Sequence, residues 1–159
     1  MSSALIVCTA NVCRSPVAEL LWRAAAAHRG VVSKAASVGL QARAGDSAHP
    51  VMVELLEGQG LDLSPHRATL FVRSMALQYD LILAMEPSHV RAIQARAPEL
   101  SGRVQLMGRW SVGPISDPIG EPLASFERCV AQLARSVDDW LDKLSARRPG
   151  ASIRSVGTP

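Results

Sequence analysis

Aromatic side chains make up only 4% of this 159-residue chain: three tryptophans, two phenylalanines and one tyrosine. Nucleic-acid-binding surfaces interleave aromatics with basic residues along a stripe, and that pattern is missing. A pI near 9.1 does not restore it. Arg147, Arg148 and Arg154 lie in an acid-free terminal stretch and equal the whole net charge of +3. The rest of the chain is therefore close to neutral, and no nucleic-acid partner is expected. Long apolar runs are missing too; none approaches the roughly 18 residues of a membrane span. The N-terminus lacks the basic start and small-residue cleavage site of a signal peptide. Three cysteines, an odd count with two in one short segment, do not make a secreted disulfide framework. A cytoplasmic protein with no membrane association is expected. The four histidines form no metal-ligand pair, so neither metal nor cofactor is expected, and His89 with Arg91 reads as the solvated face of a helix.

The chain does have apolar runs of strand length, each followed by helical material. Strands are expected at about Ala4–Cys8, Lys34–Val38, Asp80–Met85 and Arg103–Met107. Helices are expected at about Pro16–Arg29, Pro50–Gln59, Pro87–Ala97 and Leu123–Leu144. Alternation of this kind implies parallel strands joined by right-handed crossovers, hence a three-layer αβα architecture. With 48% hydrophobic residues, one domain over 1–145 is expected, followed by a disordered basic tail over 146–159.

The first strand leads into chemistry. Ala4-Leu-Ile-Val is followed by Cys8-Thr9-Ala10-Asn11-Val12-Cys13-Arg14-Ser15-Pro16. Ser15 reads as a helix N-cap and Pro16 as the first helical residue, where a missing N–H costs nothing. Residues 8–14 then join a strand end to a helix N-terminus, whose free N–H groups and dipole suit a phosphate. That field favours the thiolate of Cys8, a nucleophile, and the planar fork of Arg14 can grip two phosphate oxygens. Residues 9–15 are the candidate phosphate cradle.

Spacing alone proves little, since composition predicts about 0.3 Cys-x5-Arg pairs by chance. A second copy runs from Cys129 to Arg135. It falls among Phe126, Val130, Leu133, Val137, Trp140, Leu141 and Leu144, which repeat at helical spacing. Amides inside a helix are already bonded and cannot wrap an anion, so this copy is structural. A thiolate attacking phosphorus also needs an acid for the leaving oxygen. Asp117, in Gly113-Pro-Ile-Ser-Asp-Pro-Ile-Gly120, follows the last strand beside a stiffening Pro118 and can fold over the same sheet edge. Taken by itself, Asp-Pro reads rather as a turn starter; the Cys8 loop, whose chemistry needs a carboxylate nearby, turns the reading to the acid.

Along nearly its whole length the chain resembles the low-molecular-weight protein tyrosine phosphatases, bacterial branch. The resemblance rests on Val7-Cys8 through Glu19, Ser37-Val-Gly-Leu40, Ser64-Pro-His-Arg-Ala68, Asp80-Leu-Ile-Leu-Ala-Met-Glu86 and Asp117-Pro118. It implies a four-stranded parallel sheet in order 2-1-3-4, with Cys8 as nucleophile, Arg14 on the phosphate and Asp117 as general acid. It further implies a supporting network of Asn11, Ser15, Ser37 and His66, with Ser15 donating to the leaving thiolate. Substrates would be phosphotyrosine proteins, among them tyrosine autokinases of polysaccharide export. Where many relatives carry glycine stands Ala10, so φ there should be negative. Ile119 and Gly120 replace the aromatics of vertebrate members.

Three other functions share these features. A thioredoxin-coupled arsenate reductase would need further cysteines downstream, and none lies between Cys13 and Cys129. A protein-arginine phosphatase of the same fold would be expected to carry threonine where Val12 stands. A non-enzymatic phosphate-binding module would have lost the nucleophile, arginine or acid, and all three are present. Cys13, five residues from Cys8 in the same loop, is a candidate redox partner.

Overall fold

The computed structural model describes residues 2–146. Its strands are β1 (Ser2–Cys8), β2 (Ser33–Gly39), β3 (Leu81–Ala84) and β4 (Val104–Leu106). The helices are α1 (Arg14–Arg29), α2 (Pro50–Glu57), α3 (Arg73–Ala76), α4 (Pro87–Arg96) and α5 (Leu123–Ala146). A 3-10 segment over Pro98–Arg103 precedes β4. The sheet is parallel throughout, in the order β2-β1-β3-β4.

Position in the sheet explains the composition of β1. A central parallel strand is covered on both faces, so it reads as continuously apolar, and Ala4, Leu5, Ile6 and Val7 are wholly buried. Alternate residues serve opposite layers. Ala4, Ile6 and Cys8 join the core under α1, α2 and α5, while Leu5 and Val7 join the core under α3 and α4. Cys8 thus leaves the sheet on the α1–α5 side. Two indoles fix that layer: Trp22 Nε1 donates to Ser33 Oγ at 2.9 Å, and Trp140 Nε1 donates to Met107 O at 2.8 Å. Phe126, Cys129, Val130, Leu133, Val137, Trp140 and Leu141 are all buried along α5, as their period requires. That places the Cys129 copy inside a helix.

The direction of winding reverses at β1: the crossover from β1 leads outward to β2, and the next, from β2, passes back over β1 to β3. In open parallel sheets such a switch makes a crevice beyond the strand carboxyl ends. Cys8 ends β1 there, and Glu86 lies just beyond the end of β3.

Most boundaries shift by one or two residues, and two of the differences bear on the expectations above. α1 begins at Arg14, with Cys13 in the cap position and no side-chain cap bond, so Ser15 is not the N-cap. Its hydroxyl is drawn instead to the thiol and amide beside it. Ala146 still belongs to α5; the expected tail beyond it lies outside the described residues.

Candidate active site

Residues 9–13 wrap the N-terminus of α1, and the carbonyls of Cys8, Thr9, Asn11 and Val12 face the framework. Leu40 N donates to Cys8 O at 3.0 Å, Gln41 N to Thr9 O at 2.8 Å and His49 N to Val12 O at 2.7 Å. His66 Nε2 lies 2.7 Å from Asn11 O. Among the described residues, no amide of residues 9–13 donates to a backbone or side-chain acceptor. Carbonyls turned out and amides left free is the arrangement that cradles an anion.

Asn11 makes the turn. Its φ of 57° is the one left-handed non-glycine value among the described residues, so Ala10 keeps negative φ as expected. Asparagine tolerates this region better than most residues, and its side chain fixes the conformation. Nδ2 donates to Ser15 Oγ at 2.8 Å and to Ser37 Oγ at 3.0 Å, while Oδ1 accepts from Thr69 N at 2.8 Å. Ser37 in turn donates to Glu19 at 2.6 Å. Asn11, Ser15 and Ser37 are buried and every polar arm has a partner, which makes such a network rigid. The family resemblance groups Asn11, Ser15, Ser37 and His66, and the structure brings all four together.

Cys8 is buried, with Sγ 2.9 Å from Ser15 Oγ; that hydroxyl can donate to a thiolate. Arg14 is 2% exposed. Its Nη1 donates to Glu86 Oε2 at 2.7 Å and to Ile115 O at 2.8 Å, leaving Nε and Nη2 as the edge open to a ligand. Burial lowers the proton affinity of the guanidinium. The Glu86 hydrogen bond and the fields of Cys8, Asp117 and Glu86 more than offset this, so the pKa lies above its ordinary value.

Cys13 and Cys129 are also buried, free thiols. Burial first, then Cys129, Asp117 and Cys8, push the Cys13 thiol up. Burial pushes Cys129 up to about 12, against the pull of Arg14. Asp117 is exposed and its Oδ1 accepts from Ile119 N at 3.0 Å, so the turn-starter reading holds as geometry. The same carboxylate acts electrostatically on Arg14, and it lines a cavity of about 240 Å³ with Ser125, Arg128 and Cys129.

His89 corrects an expectation. It is 6% exposed, not solvated, and Nε2 lies 2.9 Å from Thr9 Oγ1; Arg91 is exposed as expected. His89 does lie on a helix, but α4 turns that side toward the loop. The sequence pattern assigns no role to Glu86 or Gly39. A Cβ on Gly39 would lie 2.6 Å from Thr9 O and 2.8 Å from Asn11 N, so only glycine lets β2 approach the loop. The place of Glu86 just past β3 was the available signal for it.

A family model described as low molecular weight phosphotyrosine protein phosphatase matches residues 3–149. The chain belongs to this family of hydrolases. A Ralstonia solanacearum protein named probable low molecular weight protein-tyrosine-phosphatase EpsP is 37% identical over 142 residues, 89% of this chain and 95% of that one. The crystal structure of the tyrosine phosphatase Wzb from Escherichia coli K30 with sulphate superposes with TM-score 0.81 at 35% identity, covering 90% of this chain and 98% of that one. The YwlE arginine phosphatase from Geobacillus stearothermophilus gives TM-score 0.83 at 26% identity, covering 92% and 94%.

Proposed function

We infer that this chain hydrolyses phosphotyrosine on proteins through a phosphocysteine at Cys8, with residues 1–145 acting as one phosphatase domain. The observation that carries the reading is the Cys8 thiol held 2.9 Å from Ser15 Oγ at the mouth of a loop of free amides, beside a buried Arg14. The thiolate attacks phosphorus, an S–P bond forms, and the P–O bond to the phenol breaks. Asp117 gives its proton to that phenolic oxygen. Asp117 as a carboxylate then takes a proton from water, whose oxygen attacks phosphorus. The S–P bond breaks, phosphate leaves, and the Ser15 hydroxyl donates to the released thiolate. Amides of residues 9–15 and the Arg14 fork hold the phosphoryl oxygens as charge develops. Hydrolysis of a generic aryl phosphate at pH 6, with chelator present, tests this; an inert protein would refute it.

The partner we propose is a tyrosine autokinase of polysaccharide export in the cytoplasm. The bacterial relatives support that branch, and among the described residues no helix is long and apolar enough to cross a membrane.

The YwlE likeness makes phosphoarginine the rival substrate, and Val12 favours tyrosine. Val12 is half-buried in the loop; a valine methyl offers a phenol apolar contact but leaves a guanidinium N–H unpaired, a loss of about 1–3 kcal/mol when buried. Phosphotyrosine peptides should therefore show the higher kcat/KM, with Val12→Thr narrowing the gap. Equal values for both substrates, unchanged in Val12→Thr, would refute the preference.

Cys13 is proposed to trap an oxidised Cys8. Peroxide converts the Cys8 thiolate to a sulfenic acid, and Cys13 sulfur displaces water from it to form a disulfide that dithiothreitol reduces. Peroxide-treated Cys13→Ser should then lose activity irreversibly. Full recovery of that variant with dithiothreitol would reject the role.

A further inference from the structure

His89 belongs to no step above, yet it stands against the loop and against the carboxylate that holds Arg14. Nε2 lies 2.9 Å from Oγ1 of Thr9, the residue after Cys8, and 3.9 Å from Oε2 of Glu86. That same oxygen accepts Arg14 Nη1 at 2.7 Å. The other ring nitrogen, Nδ1, is buried with no hydrogen-bond partner among the described residues. An imidazole with one nitrogen desolvated and unpaired is a costly way to fill space. Leucine would fill it without that cost, so the retained nitrogen has work at Nε2.

We propose that His89 is a positioning residue for the phosphate-binding loop: it holds Thr9 by its hydroxyl, fixing the turn that follows Cys8, and leaves the Glu86 carboxylate to Arg14. This rests on the reading of Cys8–Arg14 as the phosphate site. Burial and then the field of Arg14 lower the proton affinity of the ring, with Glu86 and Asp117 opposing. A neutral ring does not compete with Arg14 for Glu86. With its proton on Nε2, the ring donates to Thr9 Oγ1 and leaves only a lone pair unpaired at Nδ1.

The test compares aryl phosphate turnover and inhibition by inorganic phosphate in the wild type, His89→Leu, His89→Gln, Thr9→Val and the double variant Thr9→Val/His89→Leu. His89→Leu and Thr9→Val should each raise KM and the phosphate inhibition constant by about 3–10-fold, the scale of one hydrogen bond, with kcat changed less than about twofold. The double variant should be no worse than the weaker single, because both remove the same bond. His89→Gln, whose amide nitrogen reaches the place of Nε2, should return most of the loss. Additive losses, or a fall in melting temperature without change in KM, would overturn the role. If His89→Leu does not fold, normal phosphate inhibition in Thr9→Val overturns it alone. A wild type that neither turned over nor was inhibited would overturn the site itself. A wild type that did both, with His89→Leu equal to it, overturns only His89.

Discussion

Replacing Cys8 by serine is expected to abolish aryl phosphate turnover, on the order of 10⁴-fold or more, while phosphate and vanadate still bind. A serine hydroxyl is far harder to ionise than a thiol, and among the described residues the side chain bonded at this position is the Ser15 hydroxyl, which is no base. The binding elements do not depend on the sulfur. Leu40, Gln41 and His49 hold the loop carbonyls, Asn11 holds the turn, and Glu86 with Ile115 O holds Arg14. Isothermal titration with vanadate alongside single-turnover kinetics separates the two effects. Cys129→Ser should keep most activity, since that thiol is buried in α5 and pushed up to about 12. An essential Cys129 with a dispensable Cys8 would collapse the assignment.

Asp117→Asn should slow the reaction by roughly 10²–10⁴, the usual worth of general-acid help. The amide keeps an oxygen for Ile119 N, so the turn after Asp117 survives and only the proton is removed. Phenols of low pKa leave without assistance, so the loss should shrink along a series of increasingly acidic leaving groups. A uniform loss across that series would mean that Asp117 only shapes its loop.

The segment around Cys8 was legible because its chemistry is local. An apolar run, a loop and a helix start are adjacent in the chain, and each has a short-range cause. The same holds for α5, whose apolar period identified both the helix and the buried place of Cys129. Local rules failed at Ser15, where cap preference predicted an N-cap. The structure shifts the helix start to Arg14 and gives the hydroxyl to Cys8 and Asn11. A buried thiol and amide offered it better partners than an end amide did.

By itself the sequence determined the alternation of strands and helices, the loop from Cys8 to Arg14 and the choice of one Cys-x5-Arg copy over the other. Periodicity and turn chemistry act over a few residues and leave their mark in the chain. Only the tertiary structure decided which side of α4 is buried, that Glu86 holds Arg14, that Gly39 must lack a side chain and that His89 reaches Thr9. Those contacts join residues far apart in sequence, brought together where β2 and β3 flank β1. Their partners are set by strand order and register, which no local pattern encodes.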